Sequence, residues 1–170
     1  AAICFIIRGL KYQIINAGDC RAVLSRNGLP LQLSRDHRPS RTGERIRIMK
    51  HGGKIKEPNE TVTDESDKSS ACRIDGLSVS RGFGDKSSHP FITCQPDVFR
   101  YSIHAQDEFI IIGTDGIWDT LSNDVAVDFV RHYRMITGKK ESGAAEALVR
   151  HAIDMGSCDN TTAVVIFFKR

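Results

Sequence analysis

The first 33 residues hold four short β-type runs separated only by a few turn residues, and this spacing constrains the fold more than any other feature. The runs cover residues 1–8, 11–16, 21–25 and 29–33. Between the last two stand Asn27 and Gly28, which both tolerate the positive φ of a type I′ hairpin turn. The opening of the chain is therefore predicted to be an antiparallel meander.

The remainder of the chain combines helical patterns with further strand patterns. Helices are predicted over Glu44–His51, after the capping residue Ser122, and over about Gly143–Met155. Strands are predicted over Phe91–Cys94, Glu108–Gly113 and Thr161–Phe168, and the last two are expected to be buried because they are strongly apolar. This order favours helices packed against antiparallel sheets over alternating βαβ units.

The segment around the first predicted helix has a mixed character. Helical spacing places Ile46 and Met49 on one face of that helix, and Gly52-Gly53 is expected to end it. Residues 57–70 are rich in Glu, Asp, Ser, Thr and Asn, and they are interpreted as a polar surface insertion.

Composition excludes several classes of function. The 170 residues are 40% hydrophobic and 26% charged, which is typical of a single globular domain. The apolar runs are too short to span a bilayer, and the net charge of +3 is spread along the chain rather than clustered for nucleic acid. The five cysteines have no C-x-x-C spacing, which indicates reduced thiols and a cytoplasmic or nuclear protein.

Three aspartates carry the informative chemistry, because each stands at the end of a predicted strand beside Gly or Asn. Asp19 follows Gly18, Asp115 precedes Gly116, and Asp159 precedes Asn160. Carboxylates at strand ends can point into a shared cleft and bind hard cations such as Mg²⁺ or Mn²⁺. For each aspartate taken alone an ordinary turn is the favoured interpretation, since its side chain can accept hydrogen bonds from nearby amides. Spacing does not bring the three together.

Seven blocks, in order from residue 16 to residue 162, resemble the type 2C (PPM) family of metal-dependent serine/threonine protein phosphatases. The blocks are Asn16-Ala17-Gly18-Asp19-Cys20-Arg21-Ala22-Val23-Leu24, Leu33-Ser34-Arg35-Asp36-His37-Arg38-Pro39, Glu44-Arg45-Ile46 with Gly52-Gly53, Leu77-Ser78-Val79-Ser80-Arg81-Gly82-Phe83-Gly84-Asp85, Gln95-Pro96-Asp97, Asp107-Glu108-Phe109-Ile110-Ile111-Ile112 with Asp115-Gly116-Ile117-Trp118-Asp119, and Asp159-Asn160-Thr161-Thr162. Their number and order make the resemblance specific, and it covers nearly the whole chain.

The resemblance implies a fold, a reaction and a set of ligands. The implied fold is α+β, with two packed antiparallel β-sheets flanked by helices. The implied reaction is hydrolysis of phosphoserine and phosphothreonine in phosphorylated proteins by a monomer with two Mg²⁺ or Mn²⁺ ions and a third, weaker ion. By position, Asp115 and Asp159 match metal ligands, Asp19 matches a residue associated with the third ion, and residues 40–75 match a flap beside the active site.

The chain departs from the family at its start. The family's phosphate-binding Arg, further acidic ligands and Asp-Gly-His-Gly-Gly segment have no counterpart in the 170 residues. Residues 1–170 are therefore expected to form part of one PPM-type domain, incomplete at the N-terminus and inactive alone, with the catalytic residues in the missing half. The alternative is a catalytically inactive pseudophosphatase or interaction fragment. His37 is expected to hold the loop before Pro39, and Trp118 to pack in the core.

Overall fold

The computed structural model describes residues 1–57, 72–138 and 141–169, so nearly all of the predicted polar insertion lies outside the described residues. The chain forms two compact units. The first comprises Ala1–Ala2, Ala17–Asp19 and Asp36–Pro96, and the second comprises Ile3–Asn16, Cys20–Arg35 and Asp97–Arg170.

Two antiparallel β-sheets and a set of helices confirm the predicted α+β fold class. The strands are β1 (Ala2–Arg8), β2 (Lys11–Ala17), β3 (Arg21–Arg26), β4 (Leu29–Gln32), β5 (Asp97–Ser102), β6 (Asp107–Gly113) and β7 (Ala163–Phe167). One sheet has the order β1-β2-β5 and the other the order β4-β3-β6-β7. The helices are α1 (Thr42–Lys50), α2 (Asp115–Trp118), α3 (Asn123–Ile136) and α4 (Ala144–Asp154), and a 3₁₀ turn spans Lys86–Ser88.

The four strands predicted for the opening meander are present, but they do not form one continuous sheet. Asn27 and Gly28 have φ values of 50° and 79°, which confirms the type I′ turn between β3 and β4. Between β2 and β3, however, the chain leaves one sheet and enters the other. Gly18 makes this change of direction possible with a φ of 124°, a conformation that residues with a Cβ rarely adopt.

Strand β6 is buried on both faces because it separates the two hydrophobic cores of the second unit. Phe109 and Ile111 pack in one cluster with residues of α3 and α4, such as Val130. Ile110 and Ile112 point the other way, into a cluster shared with β2. The nearly continuous apolar run in the sequence is explained by this central position.

One predicted strand is absent, and another is present but less buried than predicted. Residues Phe91–Cys94 do not form a strand: the backbone N–H groups of Phe91 and Ile92 both donate to Ser88 O, and the guanidinium of Arg47 donates to Phe91 O. The backbone groups that a ladder needs are therefore already engaged. Strand β7 exists but is only half-buried, because it lies at the outer position of its sheet and Val164 is 50% exposed.

In the first unit the structure corrects the predicted helix face. Ile46 and Met49 are exposed, whereas Ile48 is fully buried with Ile74 and Ile92. Helix α1 also buries a charged residue, Glu44, which the hydrophobic pattern does not reveal.

His37 has the structural role expected of it. Its ring Nδ1 lies 3.2 Å from Gly18 N and 3.1 Å from Gly18 O, and its own backbone N–H donates to Gly18 O. Its carbonyl accepts a hydrogen bond from the N–H of Ser80. This fully buried side chain thus ties two loops of the first unit together.

Helix α3 begins as its sequence predicts, and its cap provides a first test. The hydroxyl of Ser122 accepts a hydrogen bond from Val125 N at 3.2 Å. We expect Ser122→Ala to lower the free energy of unfolding by about 1 kcal/mol, because an N–H in the first turn loses its acceptor. Urea denaturation measures the change, with exposed Ser102→Ala as the control. Equal stability of the two variants would contradict the capping role.

None of the helices in the described part of the chain is long and apolar enough to cross a bilayer.

Candidate functional site

Two of the three predicted aspartates lie at the same end of adjacent strands. Strands β6 and β7 pair antiparallel, with Gly113 opposite Ala163. The chain therefore leaves β6 at the edge where it enters β7. Asp115 stands two residues after Gly113, and Asp159 stands four residues before Ala163. The strand pairing thus brings two residues 44 positions apart in sequence onto adjoining loops.

Hydrogen bonds join these loops directly. Thr114 N donates to Thr162 O at 3.1 Å, and the hydroxyl of Thr114 donates to Asn160 O at 3.2 Å. From the other loop, the hydroxyl of Ser157 donates to Gly116 O at 2.7 Å. The loop that carries Asp115 is therefore fixed to the loop that carries Asp159.

The two carboxylates differ in exposure but share one local arrangement. Asp115 is half-buried at the first turn of α2, and Asp159 is exposed. In each, Oδ1 accepts a hydrogen bond from the next backbone amide, at 3.1 Å from Gly116 N and at 2.6 Å from Asn160 N. The turn interpretation therefore holds locally for both. Within residues 1–57, 72–138 and 141–169, neither Oδ2 has a hydrogen-bonding partner.

This donor set fits a hard divalent cation in part. Carboxylate oxygens are the ligands that Mg²⁺ and Mn²⁺ prefer, and Asp115 and Asp159 each offer an Oδ2. Nowhere in the described part of the chain do three or more His, Cys, Asp or Glu side chains converge as a metal site would require. The pair therefore suits a partial ligand set, completed by water, substrate or other donors.

Asp19 belongs to the first unit and stays a prediction as a metal ligand. Its side chain is 6% exposed, and Oδ2 lies 3.8 Å from Nη2 of Arg38. The guanidinium therefore offers this buried carboxylate a counter-charge that does not depend on a metal ion.

Sequence reasoning missed the residues that shape this site. Short helix α2 begins at Asp115 itself, directly after the strand, and it was not predicted. A Cβ on Gly116 would lie 2.5 Å from Thr161 Oγ1 and 2.8 Å from Asn160 O, so only glycine fits there. The motif Asp-Gly would have indicated a turn, but not this close approach of two loops.

Trp118 anchors the site from below and confirms its predicted core position. The side chain is 5% exposed within the cluster that contains Val130. Its Nε1 donates to Gly113 O at 2.9 Å, which closes the turn around Asp115. The guanidinium of Arg21 lies 5.4 Å from the centre of the ring, in a cation–π contact.

A cleft of about 960 Å³ lies elsewhere, around the start of β6 and the end of α3. Its walls include Asp128, His132 and Phe168, and one of its ion pairs joins Arg131 to Glu108 at 3.3 Å. None of the three predicted aspartates lines it. The cleft therefore gives no support to the predicted metal ligands.

Comparison with known proteins bears on the chemistry of the site. A sequence profile described as Protein phosphatase 2C matches residues 1–161. A PP2C-like domain-containing protein of Acanthamoeba polyphaga mimivirus is 39% identical, and the match covers 93% of this chain and 94% of that protein. Probable protein phosphatase 2C 11 of Arabidopsis thaliana is 39% identical over 99% of this chain. The chain spans 41% of the length of this plant relative.

Solved structures with the same fold agree with the profile. A serine-threonine phosphatase 2C from Toxoplasma gondii superposes with a TM-score of 0.81 at 28% identity. The match covers 98% of this chain and 57% of the Toxoplasma chain. A sex determining protein of C. elegans superposes with a TM-score of 0.85 at 23% identity, and the match covers 98% of this chain and 40% of the C. elegans chain. At this identity the likeness shows the fold alone. The profile, the relatives and the antiparallel two-sheet fold together establish that this chain belongs to the protein phosphatase 2C family.

Proposed function

We propose that the protein containing this chain hydrolyses phosphoserine and phosphothreonine in phosphorylated proteins, and that Asp115 and Asp159 hold Mg²⁺ or Mn²⁺ for this reaction. The observation that carries the proposal is the placement of two carboxylates on hydrogen-bonded loops at one end of β6 and β7. Membership of the protein phosphatase 2C family supports the reaction class.

In the proposed reaction, the residues of this chain bind a cation and hold the carboxylates that contact it in a fixed direction. Each carboxylate keeps one oxygen on a backbone amide, which fixes its direction, and leaves the other for a cation. Half-burial of Asp115 limits the water around it and strengthens its electrostatic attraction for a cation. When bound, divalent cations supply a Lewis acid that activates water and neutralises charge on the phosphoryl group.

Removing the two carboxylates tests the proposal. We expect the double variant Asp115→Asn, Asp159→Asn to lose phosphate release from a phosphothreonine peptide in Mn²⁺, because the neutral amides bind the cation much less strongly. Release of inorganic phosphate is measured, and Asp154→Asn, an exposed aspartate at the end of α4, is the matched control. All variants are made in the full protein that contains this chain, because residues 1–170 are expected to be inactive alone. If that full protein in its unmodified form releases no phosphate, or if the double variant is as active as the control, the proposal is wrong.

A second candidate function is a non-catalytic interaction domain of the same fold. It is favoured by the absence, among the residues that the structure describes, of any place where three potential metal ligands converge. The same experiment separates the two candidates when Mn²⁺ binding is measured in parallel by calorimetry. Mn²⁺ binding with phosphate release supports the enzyme, whereas binding of neither Mn²⁺ nor phosphopeptide at this site supports the interaction domain.

A further inference from the structure

We infer that the hydroxyl groups of Thr114 and Ser157 act as positioning groups that fix Asp115 and Asp159 relative to each other. We call the three hydroxyls of Thr114, Ser157 and Thr161 the hydroxyl clamp. The inference rests on the proposed function in one respect, namely that the two carboxylates bind a cation. It assigns a role to side chains that the aspartate motifs leave unexplained.

Thr114 lies between the last residue of β6 and the first residue of α2, and it is the N-cap of that helix. Its N–H donates to Thr162 O at 3.1 Å, which continues the pairing of β6 with β7. Its carbonyl accepts from Ile117 N at 3.0 Å, as the N-cap of α2 must. The carbonyl is therefore engaged by the helix, and the hydroxyl takes its place in the ladder by accepting from Thr162 N at 3.1 Å.

The hydroxyl of Thr114 also donates a hydrogen bond to the opposite loop. It donates to Asn160 O at 3.2 Å, on the residue that follows Asp159. One hydroxyl group thus contacts two positions of the opposite loop, on either side of Thr161. Valine at position 114 would keep the β-branched shape and lose both hydrogen bonds.

Ser157 and Thr161 form the second arm of the clamp. The hydroxyl of Ser157 donates to Gly116 O at 2.7 Å and lies 3.2 Å from Oγ1 of Thr161. That Oγ1 in turn donates to the carbonyl of Asp159 at 2.9 Å. The backbone on both sides of Asp115 is therefore attached to the backbone around Asp159.

A rigid backbone at both carboxylates matters for cation binding. Metal ligands bind well only when neighbouring groups hold them in place, and loss of one such group weakens binding by roughly ten- to a hundredfold. The clamp acts through the backbone of the two loops, so its members are positioning residues.

The test uses two measurements on the whole chain, with Mn²⁺ alone as the probe. Calorimetry gives the Mn²⁺ affinity, and hydrogen exchange gives the protection of the Thr162 amide in the metal-free protein. We expect Thr114→Val to weaken Mn²⁺ binding about tenfold and to accelerate exchange at Thr162 about tenfold, while Thr114→Ser keeps both within about twofold. Ser157→Ala is expected to weaken Mn²⁺ binding without accelerating exchange at Thr162.

Each outcome decides either the clamp or the proposed function. Unchanged exchange at Thr162 in Thr114→Val overturns the clamp, as does Mn²⁺ affinity equal to that of the unmodified chain. The clamp is also overturned if Thr114→Ser fails to keep the Mn²⁺ affinity and the exchange rate at Thr162 close to those of the unmodified chain. If the unmodified chain binds no Mn²⁺ while the exchange pattern follows the hydroxyl, Asp115 and Asp159 do not hold a cation within this chain, and the clamp stands as a structural device only. Near-ultraviolet circular dichroism of Trp118 verifies that every variant is folded.

Discussion

Glu44→Gln is expected to lower the free energy of unfolding by about 3 kcal/mol at neutral pH, because it removes the negative charge from a buried ionic cluster. The Glu44 side chain is 3% exposed, and its carboxylate accepts hydrogen bonds from Arg81 Nη2 at 2.6 Å, Ser80 Oγ at 2.8 Å and Arg47 Nη2 at 3.0 Å. In the variant, an amide N–H₂ would face these donors, and two guanidinium groups would lose their counter-charge.

The same cluster makes acid stability depend on Glu44. Burial alone raises the pKa of this carboxyl, but hydrogen bonds from Arg81, Ser80 and Arg47 outweigh burial and hold the pKa at about 2, below its ordinary value of 4.5. A carboxyl with a lowered pKa in the folded state stabilises the protein fully above pH 4.5, and this contribution is lost as the pH falls towards 2. The contribution amounts to about 3 kcal/mol, so Glu44→Gln should flatten the loss of stability over this interval.

Urea denaturation at several pH values between 7 and 2 checks both effects, and hydrogen exchange along α1 locates them in the first unit. The matched control is Glu146→Gln, whose carboxylate is 68% exposed and pairs with Arg150 on the surface of α4. That pair should contribute no more than about 0.5 kcal/mol. A Glu44 variant that is as stable as the control and equally acid-sensitive would show that the cluster is not stabilising.

Gly116→Ala is expected to disrupt the candidate site by steric contact. The added methyl group would lie 2.8 Å from Asn160 O and 3.1 Å from Thr161 Cα, and neither backbone atom can rotate away. The two loops must therefore separate, which we expect to lower the free energy of unfolding by about 1–3 kcal/mol. We also expect Asp115 and Asp159 no longer to bind one cation together. Calorimetry with Mn²⁺ and the fluorescence of Trp118 measure these effects.

The chain offers a matched control in Gly43. It also lies in a helix, α1, and a Cβ added there would meet nothing within 4 Å. Gly43→Ala should therefore be neutral or stabilise the protein by up to about 1 kcal/mol through helix propensity. If Gly116→Ala and Gly43→Ala have equal stability and equal Mn²⁺ affinity, the two loops can accommodate a methyl group at position 116 and the prediction is wrong.

Local sequence determined those elements whose signal is complete within a few residues. The Asn27-Gly28 turn was predictable because its positive φ values exclude most other residues, and Ser122 was predictable because an N-cap needs only its own first turn. The apolar run of β6 likewise showed its burial directly. The aspartates Asp115 and Asp159 were singled out by their position at strand ends, the resemblance matched them to metal ligands, and that role remains a prediction.

Only the tertiary structure decided which distant residues meet, because backbone and charged groups choose partners by proximity rather than by sequence pattern. Residues Phe91–Cys94 have a strand-like composition, yet Ser88 and Arg47 engage their backbone groups. Burial of Glu44 depends on guanidinium groups that arrive from Arg47 and from a separate segment at Arg81. The two loops of the candidate site became neighbours through the β6–β7 pairing, so the roles of Thr114 and Gly116 were invisible until that contact was known.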